Sequence, residues 1–346
     1  MNTAESSELP LRIRLWRWLP DSVDRRVRVI AWVSLVAQIA LIGTGGAVRL
    51  TASGLGCPTW PECSPGSIVT TPEMGLHGVI EFGNRLLTFV LVAVTIIAFL
   101  FVVRFRKARP DLFGFTLAQG LSIPFQAVLG GITVLTGLNP YVVGAHFAVS
   151  IALVVVTALL VFRVYRGRGI ALSAVAYWPI PLWYRALTWA AAGCTAVTVT
   201  VGILTTGSGP HAGDNSNPAK PAPRNGLNPD LLQHVHSWPA YALFAITVVL
   251  AIAAIGLRLR RVSRIVLVLL LVELAQIIVG VSQARLGLPE LLVGIHMVLA
   301  GLLVAAATAL VAASRPDESA VGQLDDFQIQ NGSSGSIPTA MNSSVK

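Results

Sequence analysis

Charged side chains are scarce in this chain, and their scarcity excludes an ordinary soluble protein. Asp, Glu, Lys and Arg make up 12% of the 346 residues, whereas soluble domains carry about 25%. Hydrophobic residues make up 54% and the mean hydropathy is +0.71, which is the composition of an integral membrane protein. The net charge of +9 does not indicate nucleic-acid binding, because the basic residues lie in short clusters between apolar runs rather than on one soluble face.

An apolar stretch near the N-terminus is also lacking, since the first 27 residues are basic and polar. We therefore expect no cleavable signal peptide. Further along the chain, eight apolar runs reach the roughly 20 residues that a membrane-spanning helix needs. The predicted spans are 28–49, 75–103, 114–136, 141–163, 186–206, 232–256, 264–284 and 291–313.

The distribution of Lys and Arg predicts the orientation of these spans. All but five of the 25 basic residues lie on one side, in the N-terminal segment, in the loops after the second, fourth and sixth spans, and in the C-terminal tail. Basic residues mark the cytoplasmic side of a membrane protein. We therefore expect a multi-pass protein of the cell (plasma) membrane with both termini in the cytoplasm.

Five segments follow from this pattern: a basic cytoplasmic N-terminal segment, a first four-helix half, a cytoplasmic linker, a second four-helix half and a disordered cytoplasmic tail. Their predicted bounds are 1–27, 28–163, 164–185, 186–313 and 314–346. Within the first segment, residues 9–19 mix Arg with Trp and Leu, which favours a position on the anionic inner leaflet.

The second half repeats the first at an offset of 150 residues. The segment QAVLGGITVLTGLNPYVVGAH at 126–146 aligns without a gap on QIIVGVSQARLGLPELLVGIH at 276–296. Each half has an even number of spans, so both face the same way. The predicted fold is all-α, a polytopic membrane protein whose eight transmembrane helices form two pseudo-twofold-related four-helix bundles. Small residues such as Gly130, Gly131 and Gly280 would let a helix or a flat macrocycle approach the backbone closely.

Four histidines lie in the outer parts of the spans: His77, His146, His236 and His296. A lone intramembrane histidine more often bonds a neighbouring helix than ligates a metal. His146 and His296, however, occupy equivalent positions of the repeat, which indicates a shared requirement. Imidazole is the usual axial ligand of b-type haem. Zinc is the weaker alternative, because no cysteine or carboxylate cluster completes a four-ligand set.

A carboxylate lies inside the second span. Glu81 is four residues after His77 and four before Arg85, so the three share one helical face. A buried ionised carboxylate is costly in a membrane, which makes Glu81 a candidate functional residue. The alternative is a structural ion pair with Arg85.

The chain has only three cysteines. Cys57 and Cys63 lie in the first outer loop, where an oxidising compartment lets them close a small disulfide. Such a short loop gains little from chain entropy, so the pair is either a local structural cross-link or redox-active. Cys194 lies in the fifth span and is expected to be an inert packing residue.

Taken together, six motifs resemble the haem A synthases, which convert haem O to haem A for the aa3-type cytochrome oxidases. The resemblance covers roughly residues 28–313. The motifs are TGGAVRLTASGLGCPTWPEC after the first span, IEFGNR in the second, VGAH in the fourth, TTGSGPHAGD after the fifth, QHVH in the sixth and VGIH in the eighth.

The resemblance implies an oxidoreductase acting on a CH3 group, which oxidises one methyl group of haem O to a formyl group by two successive hydroxylations and loss of water. It implies a bound haem b as cofactor in the second half, with His236 and His296 as axial ligands. The first half is implied to bind the substrate haem, with His146 as one ligand and Glu81 as the acidic residue needed for activity.

The same resemblance bears on the cysteines and on partners. Cys57 and Cys63 match the family's outer-loop pair, which is implied to form a disulfide and to be redox-relevant. Haem O is the implied substrate. Haem O synthase, an aa3-type cytochrome oxidase, membrane lipid and a second copy of the chain are candidate partners, and no nucleic acid is expected.

Two departures from the family pattern concern the first half. The pattern E-x-x-H-R reads Glu81-x-x-Asn84-Arg85 here, so the expected histidine ligand is replaced by Asn84. His77 lies seven residues earlier on the same face, about 10 Å higher along the helix axis, and is a candidate to replace that ligand or to meet a propionate. The loop between the fifth and sixth spans also lacks the second cysteine pair that some relatives have.

Two other functions fit parts of the pattern. A dihaem b-type electron carrier linked to quinone would explain the paired histidines but would leave Glu81 and the cysteines without a role. A transporter is the less favoured alternative, since repeated halves with a polar group inside the membrane are also typical of transporters.

Overall fold

The computed structural model describes residues 10–166, 180–215 and 221–315. Over these ranges the chain forms nine α-helices and one 3₁₀ turn, Pro72–Met74. The helices are α1 (Leu11–Trp18), α2 (Arg25–Leu50), α3 (Gly75–Val103), α4 (Pro110–Leu135), α5 (Pro140–Val164), α6 (Leu182–Ser208), α7 (Pro229–Gly256), α8 (Arg260–Arg285) and α9 (Glu290–Ser314).

Helices α2 to α9 are long and apolar enough to cross a membrane, which confirms the eight predicted spans. Their ends lie within four residues of the predicted ones, and most helices begin earlier than their apolar runs. Polar start signals explain this extension. Asp24 precedes α2 and accepts a hydrogen bond from the Val27 N–H at 3.1 Å, as an N-cap residue does. Pro110, Pro140 and Pro229 open α4, α5 and α7, at the position where a helix tolerates proline best.

Several predictions fall partly outside the described residues. These are the disordered tail at 314–346 beyond Arg315, the linker at 167–179 and the first nine residues. The rest of the N-terminal segment contains α1, whose Trp16 and Trp18 side chains are exposed. The guanidinium of Arg26 lies 5.5 Å from the centroid of the Trp18 ring.

Each half is a closed ring of four helices. In the first half α2 contacts α3, α3 contacts α4, α4 contacts α5 and α5 contacts α2, and α6 to α9 repeat this order in the second half. The halves meet where α5 packs against α9, α2 against α9 and α5 against α6. Exchanging the two halves leaves this set of neighbours unchanged. The contacts therefore agree with the repeat, and the pseudo-twofold axis itself stays a prediction.

The turns between α4 and α5 and between α8 and α9 repeat the same unusual backbone conformation. Gly137 and Leu138 both have φ of 60°, and Gly287 and Leu288 have φ of 76° and 63°. A positive φ is rare for leucine, so its occurrence at both equivalent positions shows that the repeat extends to backbone detail. Leu138 packs against Gly54 and Gly213, where the loops that follow α2 and α6 meet.

We define the outer end of the bundle as the end that carries the α2–α3, α4–α5, α6–α7 and α8–α9 connections. The loops of the two halves interlock there. Arg49 donates to the carbonyl oxygens of His211 and Thr206 at 2.7 and 2.9 Å, and the Gly54 N–H donates to the Gly213 carbonyl at 2.8 Å. Two packed apolar clusters lie mainly toward the opposite end. They include the buried residues Leu35 and Val154 in one cluster and Leu250 and Leu310 in the other.

Candidate functional site

Four polar groups lie at similar depth near the outer end. Glu81, His146 and His296 are each the seventh residue of their helices, α3, α5 and α9, and His236 is the eighth residue of α7. At 1.5 Å per residue, all four lie about 9–11 Å along their helices.

In the second half the structure brings His236 and His296 together. Their ring centroids are 6.2 Å apart and their planes are inclined by 69°. A bond from a metal to an imidazole nitrogen is about 2 Å and that nitrogen lies about 1.1 Å from the ring centroid, so two imidazoles on opposite sides of one metal have centroids about 6.3 Å apart. The separation of the two rings therefore matches that of two imidazoles that bind one metal ion.

Among the described residues, the hydrogen bond that holds the His236 ring is made by its Nδ1 and not by its Nε2. Its Nδ1 lies 3.0 Å from the Thr198 carbonyl oxygen. A ligating histidine usually donates its second ring N–H to such an acceptor, which fixes the tautomer and leaves Nε2 for the metal. The ring also lies on Gly202, where a Cβ atom would be 2.9 Å from the His236 Cε1. The absence of a side chain at Gly202 is thus what makes room for the ring.

His296 of α9 has an equivalent setting against α8. Its ring lies on Gly280, where a Cβ would be 3.2 Å from Cε1. The Gln276 carboxamide nitrogen is 2.9 Å from the His296 Nδ1 and 3.3 Å from its carbonyl oxygen, and the carboxamide oxygen accepts from the Ala300 N–H at 3.2 Å. The Gln276 carboxamide thus covers Nδ1, and among the described residues no hydrogen bond reaches the His296 Nε2.

The donor set of this half suits haem. Within the described ranges no three His, Cys, Asp or Glu side chains gather where they could hold a metal ion. Two imidazoles alone do not complete a tetrahedral zinc site, but they complete the coordination of an iron that already has four ligands from a porphyrin. The residues His236, His296, Gly202 and Gly280 therefore fit a bis-histidine haem.

The first half keeps only part of this arrangement. His146 lies on Gly130, where a Cβ would be 3.4 Å from Cε1. Among the described residues, the His146 Nδ1 and the Asn84 Oδ1 are buried atoms without a hydrogen-bond partner. Asn84 replaces the histidine that the family pattern leads us to expect. The first half thus offers one imidazole, one amide and unsatisfied polar atoms.

His77, the other candidate ligand of the first half, lies at the very start of α3 and is exposed. Its Nδ1 is 2.9 Å from the Ser53 Oγ, and a Cβ on Gly56 would overlap its backbone carbonyl. In the part of the chain that the structure describes, no ring contact joins His77 to His146 as His236 is joined to His296. His77 therefore stays a prediction as a ligand.

Glu81 is buried and joins α3 to the first outer loop. Its Oε2 accepts from the Cys57 N–H and its Oε1 pairs with an Arg85 nitrogen, both at 2.6 Å. Arg85 also donates to the carbonyl oxygens of Cys57 and Thr59 at 3.2 Å. The structural ion pair that the sequence left open is therefore formed, and a catalytic role of Glu81 stays a prediction beside it.

The predicted disulfide between Cys57 and Cys63 is present, and both residues are fully buried. Next to it, the Trp60 ring covers Gly131 of α4, where a Cβ would overlap the indole. Burial of both sulfurs favours a structural cross-link, because a redox-active pair has to be reached by its partner. Cys194 is a free, half-buried thiol in α6.

Some residues of the site were not recognised as functional in the sequence. Gln126 and Gln276 are identical positions of the repeat, so a signal existed, but the side-chain partner could not be read from it. Thr198 carries no signal of its own. Gly202 is one of several small residues at the end of the fifth span, and its contact with His236 could not be predicted from that pattern.

The chain is similar in sequence to known proteins. The family model described as cytochrome oxidase assembly protein (COX15-CtaA) matches residues 28–308. A heme A synthase of Listeria welshimeri is 28% identical over 148 residues, 40% of this chain and 47% of that protein. One from Geobacillus thermodenitrificans is 26% identical over 153 residues, 44% and 47% of the two chains.

The aligned region covers about half the length of these curated relatives. The family match is broader, because residues 28–308 include most or all of each of the eight spans, together with Glu81 and the histidines and cysteines described above. The chain therefore belongs to the COX15-CtaA family of cytochrome oxidase assembly proteins.

Proposed function

We propose that the protein is a haem A synthase, an oxidoreductase that converts a methyl group of haem O to a formyl group. The observation that carries the proposal is the inequality of two equivalent sites. The second half has two imidazoles spaced 6.2 Å apart, whereas the first has His146 and a buried Asn84 oxygen without a partner. A resident cofactor needs a complete ligand set, and a substrate that has to leave needs a weaker one.

His236 and His296 would hold the cofactor, haem b. When bound there, this haem supplies one-electron transfer at a potential set by its axial ligands and its burial. The chain's own contribution is orientation: Thr198 and Gln276 cover the two Nδ1 atoms, and Gly202 and Gly280 let both rings lie against the helix backbones.

His146 would be one ligand of the substrate haem O in the first half. Gly130 lets its ring lie on α4 as Gly280 does in the second half. His77 is the candidate for a second contact, either to the iron or to a propionate, and its bond to Ser53 places it at the outer end of the site.

Glu81 would accept or move protons at the methyl carbon. With water as the source of oxygen, conversion of CH3 and H2O to CHO releases four protons and four electrons. The protons pass to a positioned base, and the electrons pass to a redox acceptor of the membrane. Glu81 and His146 are each the seventh residue of their helices, α3 and α5, so they lie at the same depth from the outer end. Its bond to the Cys57 N–H places the first outer loop over this part of the first half.

The setting of this activity follows from the charge pattern. We propose a location in the plasma membrane with both termini in the cytoplasm and the histidine sites toward the outer face, because the basic residues cluster at the opposite end. Haem O synthase, as the source of substrate, and an aa3-type oxidase, as the recipient of product, are the proposed partners, together with a second copy of the chain.

The test is expression in a bacterium that lacks haem A synthase but makes haem O. Chromatography of the extracted haems should show haem A with the wild-type chain. Glu81→Ala should abolish haem A while the b-type absorption spectrum of the purified protein persists. Glu273→Gln is the matched control, since Glu273 is a buried carboxylate of the second half that accepts from Thr247 at 2.8 Å. Normal haem A in Glu81→Ala would refute the role of Glu81.

A further pair of variants separates proton transfer from loop attachment. Arg85→Ala removes the ion pair and the bonds to Cys57 and Thr59 but leaves the carboxylate. If Glu81 acts only through the loop, Arg85→Ala should lose as much haem A as Glu81→Ala. If Glu81 is catalytic, Arg85→Ala should keep a substantial part of the activity.

A dihaem electron carrier is the second candidate, and one observation favours it. Both Glu81 oxygens are engaged by Cys57 and Arg85, so the carboxylate has a structural role without any chemistry. A pure carrier would yield haem B alone from the complemented strain. A colourless purified protein would favour a transporter instead.

A further inference from the structure

The two halves place a glutamine against the histidine of the next helix in the same way. The Gln126 amide nitrogen is 3.3 Å from the His146 carbonyl oxygen, and the Gln276 nitrogen is 3.3 Å from the His296 carbonyl oxygen. Each glutamine lies twenty residues before its histidine. The two glutamine side chains therefore occupy equivalent positions, each beside the histidine of the next helix.

The second contact of each glutamine differs. In the first half the Gln126 nitrogen lies 2.8 Å from the Ser150 Oγ, and Ser150 in turn donates to the His146 carbonyl at 3.1 Å. In the second half the residue one turn after the histidine is Ala300, which has no hydroxyl, and the Gln276 nitrogen lies 2.9 Å from the His296 Nδ1 instead.

This single difference decides whether the ligand's second ring nitrogen has a partner. Among the described residues, the His146 Nδ1 and the Gln126 Oε1 are both buried without a hydrogen bond. The His296 Nδ1 is covered. A partner on the second nitrogen fixes the ring and raises its basicity as a ligand, and losing it typically costs about 10- to 100-fold in metal affinity. An imidazole that binds a metal through Nε2 carries its proton on Nδ1, so with a metal bound the Gln276 carboxamide has to turn about its last bond and present its oxygen to the His296 Nδ1–H.

We propose that Ser150 and Ala300 are positioning residues that make the two haem sites unequal. Ser150 draws Gln126 away from His146, which leaves an exchangeable ligand for the substrate. Ala300 leaves Gln276 on His296, which gives a fixed ligand for the cofactor. The proposal rests on the haem-binding roles proposed above for the two halves.

The test exchanges the two residues. The purified full-length protein is loaded with haem O, and transfer of haem to excess apomyoglobin is followed over time. Chromatography of the transferred pigment distinguishes haem O, released from the first half, from haem B, released from the second. Ser150→Ala should slow the release of haem O, and Ala300→Ser should speed the release of haem B, each by about 10-fold or more.

A redox titration provides a readout that packing alone would not move. Ala300→Ser and Gln276→Leu should both raise the reduction potential of the b-type haem, because a less basic imidazole stabilises the ferric state less. Ala307→Ser is the matched control. It adds the same hydroxyl about 10 Å further along α9, where it can bond the carbonyl four residues earlier, as Thr308 does at 2.7 Å.

The outcomes separate this proposal from the proposed function. Wild-type release rates in either exchanged variant overturn it, as does an effect of Ala307→Ser equal to that of Ala300→Ser. A wild-type protein that binds haem B and forms haem A, with exchanged variants that behave like it, refutes only the positioning roles. A wild-type protein that binds no haem refutes the proposed function itself.

Discussion

Gly202→Ala tests whether the spacing of His236 and His296 is what binds haem in the second half. A Cβ at this position would lie 2.9 Å from the His236 Cε1 and 3.2 Å from its Nδ1. The ring cannot keep its place, and the bond from Nδ1 to the Thr198 carbonyl limits where it can move. We therefore expect His236 to leave the axis that it shares with His296.

The size of the expected loss in haem affinity follows from a comparison of two glycines of α6. Gly193 lies nine residues earlier in the same helix, and a Cβ there would meet nothing within 4 Å. Both Gly→Ala changes gain helix propensity equally, so the difference between them isolates the overlap with the ring. Inserting one carbon into a packed site costs about 1–3 kcal/mol, which corresponds to about 5- to 140-fold in haem affinity.

The assay is the haem B content of protein purified at equal yield, together with the dissociation rate of that haem. Gly193→Ala should bind haem B as the wild type does, whereas Gly202→Ala should purify with much less and release it faster. Gly280→Ala, with a wider 3.2 Å approach to the His296 Cε1, should have a smaller effect. Full haem content with an unchanged spectrum in Gly202→Ala would refute the assignment of His236 as an axial ligand.

Two further predictions concern the outer loop and the orientation. Because Cys57 and Cys63 are fully buried and the Glu81 carboxylate accepts from the Cys57 N–H, the disulfide should resist mild reductant. Glu81→Ala removes a charged hydrogen bond of about 1.5–3 kcal/mol and should speed reduction of the disulfide by about 10- to 100-fold, measured by thiol labelling. Equal rates in the variant and the wild type would show that the loop is held by other contacts. A protease added to intact spheroplasts should spare a tag fused after Lys346 and cleave one inserted in the loop between α6 and α7, and the reverse pattern would contradict the cytoplasmic termini.

The long-range order of the bundle could be predicted because it depends on features that repeat along the sequence. The length of an apolar run fixes a span, and two such sets of four with the same Gln, Gly and His spacing fix equivalent helices. The ion pair of Glu81 and Arg85 was also accessible, since residues four apart on a helix are neighbours. These predictions need only local periodicity and one offset.

The contacts between loops could not be predicted in the same way. That Glu81 bonds the Cys57 N–H, and that Arg49 reaches His211 and Thr206, depends on how two irregular loops cross. No periodicity describes such segments. The first turns of the helices also lie outside the predicted spans. Capping by Asp24 and a starting proline at Pro229 extend α2 and α7 beyond their apolar residues, and the length of an apolar run does not show this extension.

Helices α3 and α7 occupy equivalent positions in the two halves but differ in three residues of one helix face. Aligning Asn84 with His236 places Glu81 opposite Gln233 and Arg85 opposite Ser237. On this helix face the first half thus has a carboxylate, an amide and a guanidinium where the second half has an amide, an imidazole and a hydroxyl. The helices have the same neighbours in both halves, so the backbone cannot account for a difference in ligand binding. The side chains therefore have to account for it. The first half has Asn84 in place of a histidine, and on the same face of α3 it has the ion pair of Glu81 and Arg85 and their contact with the disulfide loop. On the function proposed here, the cofactor site and the substrate site would therefore differ by a few exchangeable residues.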